Sequence, residues 1–418
     1  MKVLISAYAC EPNCGSEPAI GWNVIRGLAS RHELTVMTRR NNREAVLGCG
    51  EDWVRGVEWV FVDPPRWLTF WKKGRSGVRL FYLIWQVTAF FRGRELLEQG
   101  KFEVIHHLTF ASIFPASPLA FLGKPFVSGP LGGALEAPPL LAATLPWRGR
   151  WALWRQKWGR RLGACFSFAG RVYRRSSVCL GATRESVSRL QALGAPRVEL
   201  EVQSGLDPEV LADLASRRKV VGAGGALCIL VASRMVFWKG VDLAIEAVAR
   251  ARSQGLEVRL ELSESGPEEA SLRDLVGKLG LAEVTTFLGR LPGHDEFLAK
   301  LAGSDVVMHP AFSESFGQVC LEALACGVPV ICLDWGGPGV IVDQKTGYLV
   351  EPGRREQVVE RLSEALLKCA DDRSQGKPDP SVLQRRALQF SWARIVDSVD
   401  RSYRAAVEGV RTTRPMSP

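Results

Sequence analysis

Short apolar runs alternate with helix-patterned stretches along this chain, and the alternation restarts midway. Residues 2–9, 34–38, 57–62, 104–107 and 125–128 read as strands, with a helix over 19–30. Strands that are apolar throughout are buried on both faces, which predicts a parallel sheet flanked by helices. After Pro208 the pattern begins again. Residues 226–233 (ALCILVAS) are a fully apolar strand and 239–251 an amphipathic helix; 258–261, 284–288, 306–309 and 328–333 are further strands. A length of 418 residues exceeds one core. The reading is α/β with two doubly wound parallel-sheet domains, 1–205 and 206–388. Residues 389–418 form a terminal helix and tail that pack back on the first domain. Its apolar positions Trp392, Ile395, Val396, Val399 and Tyr403 have helical spacing. The glycines of 221–225 (VGAGG) precede a strand instead of following one, so they read as linker and not as a dinucleotide loop.

The ten cysteines occur singly with no C-x-x-C pair, which excludes a zinc ribbon and reads as small buried thiols in a reducing compartment. No run reaches the length of a membrane span; the best, 78–91, is fourteen residues long and holds Arg79 and Gln86. The apolar stretch at the N-terminus is too short for a signal peptide and reads as a first strand. Charge is uneven. Residues 1–200 carry 28 Lys and Arg against 14 Asp and Glu, a net +14, while the remainder carries 26 against 30. A basic half suggests phosphate-bearing partners.

The most informative stretch is HPAFSESFGQVCLEALACGVPV, residues 309–330. A strand ends at His309, and a loop leads into a helix beginning near Phe316 and Gly317. A helix N-terminus offers unpaired N–H groups and a positive dipole end, an anion site, and Gly317 permits close approach of a ligand. Glu314 precedes the helix and Glu322 lies two turns along it, among apolar neighbours where a solvated carboxylate is out of place. Two acceptor-only carboxylates at this spacing suit a sugar and a ribose.

These residues carry a resemblance. Glu314-x-Phe316-Gly317-x4-Glu322-Ala323-x3-Gly327-x-Pro329-Val330 resembles the E-x7-E signature of retaining glycosyltransferases of family 4, of GT-B fold. The opening SAYACEPNCGSEPAIGW is similar to the family's N-terminal loop. Ser233-Arg234 with Lys239-Gly240, and Ser265-Gly266-Pro267-Glu268, resemble its downstream elements. Phe287-Leu288-Gly289 resembles the strand end beside the nucleobase, and Gly336-Gly337-Pro338 and 347–350 resemble its later segments. Two departures stand out. Residues 263–265 interrupt an expected glycine, and Gln203-Ser204-Gly205-Leu206-Asp207 replaces the usual P-N-G-V-D.

The resemblance implies two Rossmann-like domains facing a central cleft. It also implies transfer of a hexose-type sugar from a nucleotide-diphosphate sugar, UDP before GDP, to a saccharide or lipid-linked acceptor. It assigns Arg234 and Lys239 to the pyrophosphate, where cations stabilise charge on the leaving phosphate. Glu322 goes to the ribose; Glu314, Ser315, Phe316 and Gly317 go to the sugar and distal phosphate, and Leu288 lies beside the base. Gly15 lets the first loop close over the phosphates, whereas Glu17 reads as a helix cap. His107 touches the transferred sugar, although the pair His106-His107 alternates faces and leaves open which ring points inward. No cofactor or metal is expected. Asp-x-Asp is absent, and the cations stand in for a metal ion. Other GT-B chemistry, sugar-nucleotide epimerisation or glucan synthesis, and a non-catalytic binder remain alternatives.

The acceptor side falls in the basic half. Residues 147–175 hold nine Arg and Lys and no acid, with Trp147, Trp151, Trp154 and Trp158 on one helical face. Residues 66–94 add seven cations and no acid, with Trp67, Phe70, Trp71, Phe81, Tyr82 and Trp85 among their aromatics. Two readings stay open: a Trp stripe packed on the core, or an interfacial surface on anionic membrane. The corresponding expectation is a cytoplasmic protein, peripheral at the inner face of the cell membrane. Nucleic acid is not an expected partner, since no nucleic-acid motif accompanies the basic patches.

Overall fold

The computed structural model describes residues 1–15, 17–72, 77–132, 136–145, 147–166, 168–218 and 225–413. Residues 221–224 of the expected linker, the cations Lys73 and Arg75, and 414–418 of the tail lie outside them.

The chain divides into two compact units. The first comprises Met1–Ala134, Trp158–Gly205 and Trp392–Pro418. Its seven strands are β1 Lys2–Ala7, β2 Glu33–Thr38, β3 Glu58–Phe61, β4 Val104–Thr109, β5 Phe126–Leu131, β6 Val178–Gly181 and β7 Val198–Leu200. They pair in the order β3-β2-β1-β4-β5-β6-β7, every pair parallel. The second unit comprises Leu135–Lys157 and Leu206–Ser391. Its strands are β8 Leu227–Ala232, β9 Val258–Ser263, β10 Thr285–Gly289, β11 Val306–His309, β12 Val330–Leu333 and β13 Gly347–Val350. Their order is β10-β9-β8-β11-β12-β13, again parallel. Both orders reverse beside the first strand of the unit, between β1 and β4 and between β8 and β11. Open α/β sheets bind ligands at such switch points, outside the carboxyl ends of the strands.

The central strands earn their place by burial. Leu227–Ala232 is buried along its whole length, as are Val306–His309 and Val330–Leu333. The short β6, β7 and β13 were not among the expected strands. Val198–Leu200 is partly exposed and three residues long, too short for a pattern to register. The first strand stops at Ala7, two residues earlier than expected, and the fourth runs two residues past His107 to Thr109.

Residues 135–157 cluster with the second unit, whereas the sequence reading places them in the first domain. Leu141 and Leu145 are buried in the second unit's core. Arg355 N donates to Thr144 Oγ1 at 3.1 Å, and Trp335 Nε1 donates to the Glu136 carbonyl at 3.1 Å. These long-range contacts leave no local trace in the sequence.

The terminal helix Trp392–Thr413 packs within the first unit against the helix Glu17–Ala29. A Cβ at Gly27 would lie 2.5 Å from Val396 Cγ2, so the two helices meet at a glycine. Arg31 pairs with Asp397 at 2.6 Å. His32 Nε2 lies 2.9 Å from Asp400 Oδ1, and His106 Nδ1 2.6 Å from the hydroxyl of the buried Tyr403.

Candidate active site

Every charged residue that the sequence reading singles out in the second unit lies at or beside its switch point. Arg234 and Lys239 follow β8, and Glu314 follows β11. The loop 310–317 is fixed from both sides. Phe312 N donates to the Trp238 carbonyl at 3.0 Å, and Gly337 N donates to the Glu314 carbonyl at 2.9 Å. A Cβ at Gly337 would sit 2.1 Å from the Phe316 carbonyl oxygen, so only glycine permits this approach. Gly317 has φ 90°, ψ 58°, a left-handed conformation that turns the chain into the helix Gln318–Ala325. The helix thus starts one to two residues later than expected, and Gly317 is its cap. Ser315 is partly exposed beside the buried Phe316 and Gly317.

Lys239 Nζ donates to Glu314 Oε2, and both side chains are largely buried. Burial alone would raise the Glu314 carboxyl, but His309, with Nε2 3.8 Å away, and the Lys239 ammonium outweigh it and hold the group well below the ordinary range. His309 is buried, and burial lowers its own pKa. Neither ring nitrogen has a hydrogen-bond partner among the described residues. His309 is the site residue that sequence reasoning passed over. Its position as the last residue of a central strand was the available signal.

Glu322 behaves differently. It is 6% exposed, accepts from Gln318 Nε2 at 3.3 Å, and burial pushes its carboxyl up to about 7. His294 Nε2 lies 3.9 Å from its Oε1. A buried carboxylate so weakly supplied with donors is poised to accept hydrogen bonds from a diol. Arg234 is exposed and makes no ion pair among the described residues, so its charge is available to a ligand. Its loop is tied to the turn after β9: Met235 N donates to the Ser265 carbonyl at 3.0 Å and Glu268 N to the Met235 carbonyl at 3.1 Å. Leu288 lies on the edge strand β10, half-buried. The second unit therefore offers two cations, one carboxylate held ionised and one held near neutrality.

Residues singled out in the first unit divide. Gly15 is exposed, and nothing lies within 4 Å of where its Cβ would be, so the loop has room on that side. Glu17 opens the helix Glu17–Ala29 half-buried, and its side chain turns to the loop after β4 instead of capping the helix. Its Oε1 accepts from Ala111 N at 2.7 Å, and burial raises it to about 7. His107 is enclosed, at 1% exposure, with Nε2 3.2 Å from the Tyr82 hydroxyl. Burial and the neighbouring His106 lower it to about 3. Both faces of β4 are covered, so His106 and His107 are both enclosed in the first unit.

The basic aromatic segments also divide. Tyr82 and Trp85 belong to the first unit's core, whereas Trp67 and Phe70 are exposed. Trp147, Trp151, Trp154 and Trp158 lie on the helix Trp147–Phe166 and are exposed, so the reading of a Trp stripe packed on the core does not hold. Among the described residues, no helix is long and apolar enough to cross a membrane.

Residues 215–377 match the family described as Glycosyl transferases group 1. A D-inositol 3-phosphate glycosyltransferase of Mycobacteroides abscessus is 35% identical over 178 residues, 41% of this chain and 38% of that protein. A glycogen synthase of Mycobacterium tuberculosis is 28% identical over 249 residues, 57% of this chain and 56% of that protein. The chain thus spans 38% to 56% of the length of these two curated relatives. Among solved structures, HepE of Anabaena in complex with UDP is 18% identical with a TM-score of 0.60, over 97% of this chain and 100% of that one. The lipopolysaccharide outer core galactosyltransferase WaaB is 13% identical with a TM-score of 0.62, over 96% and 99%. At these identities the likeness shows the fold: two parallel sheets of seven and six strands, the GT-B architecture.

Proposed function

From the match of residues 215–377 to the family described as Glycosyl transferases group 1, we propose that the chain is a retaining, metal-independent hexosyltransferase. The donor is a nucleotide-diphosphate sugar, UDP-linked before GDP-linked, and the acceptor a saccharide or a lipid-linked saccharide. The observation that carries this reading is the arrangement around β8 and β11: Arg234 unpaired with any described acid, Lys239 on Glu314, and the buried Glu322 short of donors. The UDP bound by the Anabaena structure supports the choice of nucleotide.

Arg234 and Lys239 take the pyrophosphate. Their charge counts most as the bond from the sugar C1 to the phosphate oxygen breaks and the phosphate gains charge. Glu322 accepts the two ribose hydroxyls. Glu314, kept ionised, accepts from sugar hydroxyls, and the N–H groups at Ser315, Phe316 and Gly317 meet the distal phosphate. Leu288 packs beside the base. The acceptor oxygen bonds to C1 on the face the phosphate leaves, and its proton passes to the leaving phosphate oxygen. This chain's own residues position and stabilise; none is needed as base. In the first unit, Gly15 leaves room for a phosphate against the first loop. His107 acts as a positioning residue, a neutral ring that holds Tyr82 and the end of β4.

The test is a panel of UDP-, GDP-, ADP- and TDP-sugars with EDTA present, read by thermal shift and by slow nucleotide release. One donor should stabilise the wild type, resist EDTA and lose its effect in Glu322→Ala. No shift with any donor, or equal shifts in the variant, would overturn the assignment of this site.

A further inference from the structure

The helix Trp147–Phe166 turns its apolar stripe away from the cores. Four described positions opposite the stripe, Gly149, Leu153, Gly163 and Ala164, are small or aliphatic. Gly149 is buried, with Leu145 3.4 Å and Phe237 3.7 Å from its Cβ position, and Leu153 packs on the second unit's core. In the second half, Gly163 lies against Phe114 at 3.6 Å and Ala164 packs on the first unit's core. On the opposite face stand Trp147, Trp151, Trp154, Trp158 and Leu162, with exposures from 45% to 67%. At 100° per residue these five fall within roughly an 80° sector, and they extend about 22 Å along the helix. Indoles in such a row are costly to leave in water, because apolar surface of this extent ordinarily marks a contact.

Cations flank the stripe. Helix periodicity puts Arg150, Lys157 and Arg161 on one side and Arg155 on the other, all four exposed. Arg155 sits over the Trp151 ring at 4.8 Å and Arg161 over the Trp158 ring at 5.4 Å. The helix contains no acid. We propose that this face lies flat on a bilayer bearing anionic phospholipid, with the indoles at headgroup depth and the cations against the lipid phosphates. Trp is suited to that depth because its ring has an apolar body and a polar N–H. Lipid fits better than nucleic acid, since base stacking needs a groove that tracks a strand, whereas this row is convex and straight. It also fits better than a protein partner, because cations on both flanks of an apolar row match a sheet of like-charged headgroups.

The full chain is floated with vesicles of phosphatidylcholine alone and of phosphatidylcholine mixed with phosphatidylglycerol, at low and high salt. Binding to the anionic vesicles should exceed binding to the neutral ones by roughly tenfold or more at low salt and fall as salt rises. Brominated lipid should quench the wild-type indole emission. Trp151→Ala/Trp154→Ala/Trp158→Ala should lose roughly tenfold or more of the binding. Arg150→Glu/Arg155→Glu/Arg161→Glu should lose the preference for anionic lipid even if the Trp variant folds poorly. Three results would each overturn the proposal: no flotation of the wild type at low salt, unaltered flotation of a folded Trp variant, or displacement from vesicles by a single-stranded oligonucleotide that binds more tightly. Vesicle binding needs no sugar donor, so its failure leaves the transferase reading standing. A failed donor screen likewise leaves the lipid contact standing.

Discussion

At the carboxyl ends of β8 and β11 the second unit gathers Arg234, Lys239, Glu314 and Glu322. At the carboxyl ends of β1 and β4 the first unit gathers aromatic rings. Tyr8 meets Tyr82, Trp85 and Phe110 with ring centroids 5.0, 5.2 and 5.9 Å apart, and His107 lies against Tyr82. The two sheets reverse their strand order at the equivalent place. What differs is the chemistry set there by the loops. One switch point holds charges that ask for a ligand; the other is filled by its own side chains. A shared topology therefore says where a ligand can bind, and only the residues there say whether it does.

The comparison can be broken or sharpened by experiment. The largest effect is expected at Lys239→Ala. It removes the cation from the leaving phosphate and strands Glu314, so turnover should fall about 100-fold or more. The unfolding free energy should also fall by about 3 kcal/mol, since a largely buried carboxylate loses its partner. Steady-state kinetics and urea denaturation check both, and an unaltered turnover would remove the pair from the chemistry.

The next effect is a pH dependence at Glu322. The folded carboxyl keeps its proton up to about pH 7, whereas an unfolded one releases it near 4.5. Unfolding therefore releases a proton in this window, and stability is lost as pH rises through it. Glu322→Gln should unfold about 3 kcal/mol later than wild type at pH 8 and equally with it below pH 4.5, while binding a nucleotide sugar more weakly. Denaturation across that pH range, with and without donor, tests the trade.

The first unit should show the opposite slope at His106. Burial lowers that ring to about 4, so the folded state refuses a proton that the unfolded state takes near 6.5. Stability is lost as pH falls from 6.5 to 4, by about 3 kcal/mol. His106→Gln should shrink this acid limb, leaving the share that His107, lowered to about 3, contributes, without moving the limb to which Glu17 and Glu322 contribute. If both limbs moved together, the two switch points would not be electrostatically separate.

The smallest effect is expected at Tyr403→Phe, which removes the 2.6 Å contact with His106 Nδ1 and little else, for a loss of about 1 kcal/mol. Donor affinity should be unaltered. A donor defect in this variant would tie the terminal helix to the site.

Much of this is legible in the amino-acid sequence. Alternating apolar strands and helical patterns predict two parallel sheets, because burial on both faces leaves its mark within a few residues. The spacing of Glu314 and Glu322, and the glycines beside them, point to a ligand site because carboxylates among apolar residues need a reason to be there. Less was legible wherever distant segments meet. His309 is an ordinary strand residue until the fold sets it beside Glu314. His107 has the right spacing for a site, and the fold buries it.

The amino-acid sequence by itself determined the two βα repeats, their order, and the charged constellation after β8 and β11, since each depends on local periodicity and near neighbours. Tertiary structure alone decided three things: that residues 135–157 join the second unit, that Glu17 turns to Ala111 N while His107 is enclosed, and that the Trp stripe of Trp147–Phe166 faces outward. A helix with Trp along one side and Gly149, Leu153, Gly163 and Ala164 along the other has two candidate inner faces. Which one is buried depends on the shape of what it packs against. Here Gly149, Leu153, Gly163 and Ala164 fit closely against the cores, and the indoles are left at the surface.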